Sequence, residues 1–530
     1  MVQYIKNFEK EIDMDIRRMI GQHFASGFEG TSIPDDFRSH VRETKIGNVI
    51  LFSRNVAAKE QLKRLCEDIQ TLVKEATGQP AFIFIDQEGG MVSRLKDDAT
   101  PVPGAMALAA TGDAHNAYEA GKITGVELGA MGVNFDLAPV LDVNSNPRNP
   151  VIGGRSYGDE PSSVGQFGVQ MFKGLRDGGV LCCGKHFPGH GDTAVDSHLG
   201  LPTVDKSMEE LSQTELAPFK IAINNGIPGI MSTHILFPQL EEEHIPATMS
   251  RRIMTGLLKE TLGFKGLVLS DCMMMGAIAD HYGTVNGMVR ALQAGVDIVF
   301  ASHDAALCTK AAQRILSLLE DDPALLEEME ASAQKILSFK HHLPVSHDSL
   351  ESVGNADHRA KMQRVFEQSL TVLGGEEAPI PEPGDSPLFI YTRPVATTQA
   401  SDILPEGLSF GKTMRQHFGG QEIVMSMDPE DEHIAEMVSK AQKSTAVIIA
   451  TYNGHLHVGQ LRAARALEEA GVPLVWVALR NPYDLARLAP GTIGVAAYAY
   501  SQPVLDALVR LLNGEITCPT GRLPVNLPKE

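Results

Sequence analysis

Over the first 340 positions apolar residues come in short bursts, each closed by a polar stop and followed by an amphipathic stretch. The bursts are IGNVILF (46–52), AFIFID (81–86), VNFDLAPVLD (133–142), GVLCCGKHF (179–187), GIMSTH (229–234), GLVLSD (266–271) and VDIVFASHD (296–304), with MIGQHF (19–24) as a candidate eighth. Fully buried parallel strands read as continuous apolar runs, and the intervals leave room for crossover helices. Eight such units closing on themselves make a (β/α)8 barrel of the TIM type. An open doubly wound sheet would alternate in the same way, but no G-x-G-x-x-G follows any of these runs.

The polar residues sharpen the α/β expectation. Asp86, Asp142, Lys185, His186, His234, Asp271 and His303 all fall at or just past the C-terminal end of an expected strand. In a barrel those ends converge on one face, where active sites are built. One polar residue there would mean little, because strand ends are solvated. Seven converging residues define a candidate site.

From about 315 to 342 the chain reads as charged helix, and 374–388, GGEEAPIPEPGDSPL, is rich in Pro, Gly and acid, the composition of an exposed linker. Shorter alternations follow: PLFIYT, EIVMS, TAVIIATYN, PLVWVALRNPYD and TIGVAAYAYS. The expected division is a catalytic barrel over 1–342, a linker over 343–387 and a smaller α/β domain over 388–530.

Composition narrows the function classes. Lys and Arg number 46 against 66 Asp and Glu, a net charge of −20, which repels phosphate backbones and anionic headgroups. Nucleic acid and membrane surfaces are therefore not expected partners. Hydrophobic residues at 43% and charged residues at 21% suit a globular chain with a normal core. The charged start, MVQYIKNFEKEIDMDIRRMI, lacks the apolar region of a secretory signal, and no run reaches the roughly 18 apolar residues of a membrane span. Six scattered cysteines form no disulfide framework, and the expected location is a reducing cytoplasm. Cys182 and Cys183, adjacent in an apolar run, read as small core residues. Oligomeric state leaves no mark on the sequence.

Candidate chemistry is densest in KHFPGHGDTAVDSHLGLP (185–202), whose Gly, Pro, Ser and Thr favour a long loop. Asp196 and His198 stand two apart, so a loop can bring carboxylate and imidazole into contact, a pairing suited to shuttling protons near neutral pH. The alternatives are a metal-binding cluster or a purely structural loop. The segment lacks H-x-x-x-H spacing and nearby cysteines, so neither metal nor cofactor is expected. Asp271 in SDCMMMGAI (270–278) ends a strand and could act as nucleophile or charge stabiliser; capping the next helix is the plainer role. Met273, Met274 and Met275 read as core or pocket wall. In IDQEGGMVSRL (85–95), Asp86 precedes a Gly-Gly turn and Arg94, a set that could hold ligand hydroxyls or form a surface ion pair. Arg155 in GGRSYGD (153–159) is either a ligand contact or a surface charge.

Taken together these segments resemble family 3 of the glycoside hydrolases, in particular its bacterial β-N-acetylglucosaminidase branch. DQEGG at 86–90, GGRSYG, KHFPGHG followed by DSH, MSTH, and LGFKGLVLSD at 262–271 occur in the family's order and approximate spacing. The likeness continues through LRNPYDL (479–485) and PTGRLPVNLP (519–528) and so spans nearly the whole chain. It implies a barrel followed by an α/β sandwich. It also implies Asp271 as catalytic nucleophile, His198 as acid/base with Asp196 as dyad partner, and Asp86, Arg94, Arg155, Lys185 and His186 along the sugar subsite. Two departures stand out. SDCMMM lacks the acidic or small residue common after the nucleophile, and Met91 stands where Arg often follows the double glycine.

The mechanism implied is retaining removal of a terminal N-acetylglucosamine through a glycosyl-aspartate, in place of the usual pair of carboxylates. The implied partner is a small carbohydrate, a GlcNAc-containing oligosaccharide or muropeptide met in cell-wall or chitin-sugar recycling. Three alternatives remain at this stage: phosphorolysis, since an imidazole base repels phosphate less than a carboxylate; β-glucosidase activity, whose branch carries a carboxylate acid/base instead of a DSH loop; and a non-catalytic sugar-binding protein, which would need neither Asp271 nor the dyad.

Overall fold

A computed structural model describes residues 15–193, 200–343, 348–374, 380–393 and 407–528. Eight parallel strands close into a barrel: β1 (Phe24–Ser26), β2 (Asn48–Leu51), β3 (Phe82–Ile85), β4 (Phe135–Asp136), β5 (Leu181–Phe187), β6 (Gly229–Ser232), β7 (Leu267–Cys272) and β8 (Ile298–Ala301). Each pairs with its neighbours in chain order, and β1 closes the ring on β8 through Ala25 opposite Phe300. All eight apolar bursts supply a strand, MIGQHF contributing the first residue of β1.

The continuous apolar runs conceal a two-sided division. In β3, Phe82 and Phe84 pack into the barrel interior with Phe135, Leu181, Leu267 and Phe300, whereas Ile83 and Ile85 join the layer under the helices. Leu267 and Leu269 of β7 likewise face in and Val268 faces out. A strand alternates its side chains between faces, and here both faces are buried, so both carry apolar residues. Cys183 lies inside the barrel and Cys182 outside it, both buried. Among the described residues no helix is long and apolar enough to cross a membrane.

A second α/β domain holds a six-stranded sheet of β9 (Thr371–Leu373), β10 (Leu388–Thr392), β11 (Gln421–Met425), β12 (Val447–Thr451), β13 (Leu474–Ala478) and β14 (Ile493–Ala496), in the order β9-β14-β13-β12-β10-β11. All pairings are parallel except that of edge strand β9 with β14. Within 343–387, the stretch assigned as linker, the chain forms helix Ala356–Ser369 and then β9, both ahead of the Pro-, Gly- and acid-rich 374–388. The helix buries Met362, Val365 and Phe366. Those residues are spaced among charged ones, so they make an amphipathic face without an apolar run.

The domains meet through the turn after β13. Tyr483 Oη lies 2.6 Å from Asn144 Nδ2 of the barrel. Asn481 lies against Gly153, where an added Cβ would come 2.8 Å from its Oδ1. Gly153, at φ +44°, opens the 3₁₀ turn Gly153–Arg155, so the second domain braces the backbone that carries Arg155.

Candidate active site

A cavity of about 350 Å³ opens at the C-terminal ends of the barrel strands, and Asp86, Arg94, Arg155, Lys185, His186 and Asp271 all line it. These side chains come from four separate stretches of sequence, and barrel closure brings them together. Asp196 and His198 lie outside the described residues. His190, earlier in the same loop, lines the cavity.

Lys185 is the hub. Its Nζ lies 2.7 Å from Asp86 Oδ1 and 2.6 Å from Glu88 Oε1, with the side chain almost wholly buried. Arg155 grips Glu88 in bidentate fashion, Nε to Oε2 at 2.8 Å and Nη2 to Oε1 at 2.7 Å. Arg94 Nη2 stands 3.7 Å from Asp86 Oδ2. Burial by itself would push the Glu88 carboxyl pKa up, but the charges of Arg155 and Lys185 outweigh it and hold that carboxyl well below the usual range. Burial works against the charge on Lys185 too, and Asp86 and Glu88 reverse the effect, raising its pKa. Glu88, Arg155 and Lys185 therefore stay ionised at neutral pH. Arg155 is thus a buried ion-pair partner, not a surface charge.

Glu88 is the residue that sequence reasoning passed over. It lies in the short hairpin Gln87–Gly89 and Val92–Ser93, two positions beyond Asp86. Period-two spacing puts both acids on one side of extended chain, which was the available signal. The turn between the hairpin strands uses Gly89 and Gly90 at φ +86° and +60°, and an added Cβ at Gly89 would meet Pro103 O at 2.7 Å. Removing the Glu88 charge leaves the buried Arg155 without its ion-pair partner and Lys185 with Asp86 alone. Glu88→Gln is therefore expected to cost about 3–5 kcal/mol, read as a lower denaturant midpoint at unchanged slope.

Asp142 and His234, two of the seven strand-end residues, stand behind the cavity wall. Asp142 Oδ2 lies 2.7 Å from His186 Nδ1, and Oδ1 accepts the His190 backbone N–H at 2.7 Å. The His234 ring donates from Nε2 to Cys272 O at 3.0 Å, bracing the chain just past Asp271. Asp271 itself is inside β7, and its Oδ1 accepts the Cys272 N–H at 2.7 Å. Met275, not Asp271, stands at the N-cap of the following helix Gly276–Ala279, so Asp271 does not cap it. Met273 is core, while Met274 and Met275 line the cavity. His303 stacks on Phe52 at 5.2 Å between ring centroids.

His190 is buried, and burial together with the neighbouring His186 lowers its pKa from 6.5 to about 4. It is neutral in the folded protein, whereas the unfolded chain takes up a proton near 6.5. Between those values the unfolded state binds more protons, so stability falls as pH drops from 6.5 toward 4. The loss is at most about 3 kcal/mol. His190→Gln should flatten this part of a stability-versus-pH curve measured by urea unfolding. An unchanged slope would mean that another group carries the proton.

A closed parallel barrel bearing this acid- and cation-lined cavity at its C-terminal face has the architecture of a barrel enzyme, with its chemistry collected at the strand ends. Residues 12–339 match the glycosyl hydrolase family 3 N-terminal domain, and the chain belongs to that family. It is 30% identical to β-hexosaminidase A of Pseudoalteromonas piscicida, over 94% of this chain and 92% of that one. A family 3 β-N-acetylglucosaminidase from Paenibacillus sp. str. FPU-7 superposes with a TM-score of 0.89 at 35% identity, over 98% of this chain and 100% of that one. NagZ of Neisseria gonorrhoeae, solved with N-trifluoroacetyl-D-glucosamine, is 28% identical with a TM-score of 0.56, over 65% of this chain and 96% of its own.

Proposed function

We propose that this glycoside hydrolase is a retaining exo-β-N-acetylglucosaminidase that removes a non-reducing terminal GlcNAc. The observation that carries this reading is the cavity of about 350 Å³, at the small end of ligand pockets, with Asp271 and the Lys185–Asp86–Glu88–Arg155 cluster on its wall. The names of the Pseudoalteromonas and Paenibacillus relatives support the choice of sugar.

Asp271 attacks the anomeric carbon and forms a glycosyl-aspartate. The His198 imidazolium, its charge matched by Asp196, protonates the departing oxygen; neutral His198 then activates the water that releases the sugar. Asp86, Lys185, His186, Arg94 and Arg155 hold sugar hydroxyls, directly or through one another, with bonds that strengthen toward the oxocarbenium-like transition state. No step calls on a metal or a cofactor. A cytoplasmic role in recycling cell-wall or chitin-derived sugars fits this activity.

Hydrolysis of aryl N-acetylglucosaminide and aryl glucoside, each with and without phosphate, tests the reading. The expected result is preferential cleavage of the N-acetylglucosaminide, releasing free GlcNAc under both conditions. Release of a sugar 1-phosphate, or preference for the glucoside, would overturn it.

A further inference from the structure

Asp136, the last residue of β4, is fully buried and stands behind the cavity wall, with no part in the chemistry above. Phe135 points into the barrel, so alternation turns Asp136 outward. There it lies opposite Ile85 of β3 and Cys182 of β5, both in the apolar layer under the helices. A carboxyl group is a costly occupant of such a layer unless it is hydrogen-bonded. Its Oδ1 accepts the Gln87 backbone N–H at 2.9 Å. Oδ2 is buried with no hydrogen-bond partner among the described residues.

Gln87 is where that contact counts. It stands between Asp86 and Glu88, the two acids that hold Lys185 Nζ at 2.7 and 2.6 Å. Its own side chain crosses the hairpin: Oε1 accepts the Arg94 backbone N–H at 2.8 Å, and Nε2 donates to Ser93 Oγ at 2.9 Å. The hairpin strands, Gln87–Gly89 and Val92–Ser93, are too short to be stable by themselves. One bond from Asp136 therefore ties β4 to the point from which Asp86, Glu88 and Arg94 are presented to the cavity.

We infer that Asp136 is a positioning residue for the sugar-binding cluster, an uncharged carboxylic acid that holds Gln87 and through it the hairpin bearing Asp86, Glu88 and Arg94. The inference rests on the glycosidase reading above and adds to it a residue that never touches substrate. A carboxylate at this place would face Asp86 and Glu88, and the one cation near it, Lys185, is already engaged by both. Burial, reinforced by those two acids, pushes the Asp136 pKa well above the ordinary carboxylate value, against the smaller opposing effects of the Gln87 N–H and Lys185. Tyr157, Cys182 and Cys183 also feel its charge, and burial raises the pKa of each, so they stay neutral.

The test compares wild type with Asp136→Asn and Asp136→Ala. Asn keeps an oxygen for the Gln87 N–H and carries no charge, so KM for an aryl N-acetylglucosaminide should stay within about twofold of wild type. Ala leaves that N–H buried and unpaired. KM should then rise on the order of tenfold, the scale of one hydrogen bond, while kcat changes less, because Asp271 stands on β7 outside the hairpin. A merely structural Asp136 would instead lower the folded fraction, and with it the apparent kcat, at constant KM.

Urea unfolding supplies a second arm that needs neither substrate nor a folded Ala variant. The folded acid keeps its proton after the unfolded chain has released it near about pH 4. Above that value the folded state binds more protons, so wild type loses stability as pH rises, and Asn has no such proton to lose. The urea midpoint of Asp136→Asn relative to wild type should therefore climb between about pH 5 and about pH 8. An unchanged KM in Asp136→Ala, or a KM defect in Asp136→Asn as large as in Asp136→Ala, would overturn the positioning role. A midpoint difference that stays constant across that pH range would overturn the uncharged state. Wild type that cleaves no N-acetylglucosaminide would bring down the glycosidase reading itself, and the unfolding arm would still decide the state of Asp136.

Discussion

Asp271→Ala is expected to lower kcat for an aryl N-acetylglucosaminide on the order of 10⁴-fold or more, the scale of loss when a catalytic unit loses its nucleophile. The carboxylate stands within β7 at the cavity wall, on a strand braced by His234 through Cys272 O. It is only partly buried and is no part of the apolar core, so the variant should unfold at close to the wild-type denaturant midpoint. Chemistry and stability can then be separated. A 2- or 5-fluoro N-acetylglucosaminyl donor should trap the wild-type enzyme, and peptide mass spectrometry should find the sugar on Asp271. A label on another residue, or substantial turnover by the variant, would remove Asp271 from the role of nucleophile.

The second large effect concerns His198. If it donates the proton to the departing oxygen, His198→Ala should spare good leaving groups and damage poor ones. Dinitrophenolate leaves without a proton, whereas a sugar or peptidoglycan alcohol does not. General-acid assistance contributes about 10²–10⁴-fold, and the loss should appear at the poor end of a leaving-group series. Asp196→Ala should give the same trend with a smaller amplitude, because the imidazole stays while its charged form loses its partner. A uniform loss across the series would reduce His198 to a shaping role and require an acid from elsewhere.

The Lys185 cluster shows how far a sequence can carry such an argument. Lys185 and Asp86 are visible as strand-end polar residues because a buried parallel strand has few reasons to end on charge. Their pairing at 2.7 Å is not visible, since 99 positions separate them along the chain. Arg155 is harder still. A lone Arg in a glycine-rich turn looks solvated, and only the fold places Glu88 beneath it and Asn481 against its turn. Asp142 and His234 carry the same strand-end signature as Asp86, yet they stand behind the wall as braces. Position along a strand specifies which end of the barrel a residue reaches. It does not specify whether the side chain lines the cavity or supports one that does.

The sequence alone determined the (β/α)8 barrel, the presence of a second α/β domain and the face of the barrel on which chemistry collects. Those features follow from local patterns: uninterrupted apolar runs, the lengths between them, and polar residues at fixed offsets. The tertiary structure decided the rest. Which face of FIFI fills the barrel is undetermined by periodicity, because burial on both faces makes both apolar. The amphipathic helix Ala356–Ser369 and edge strand β9, in the stretch 343–387 assigned as linker, gain their stability from packing and pairing with distant elements. The ionised Glu88 between Arg155 and Lys185, and Asn481 on Gly153, exist only because barrel closure and domain docking bring remote residues within a few ångströms. Electrostatic energy at such contacts depends on distance and burial, and neither is written in the order of residues along the chain.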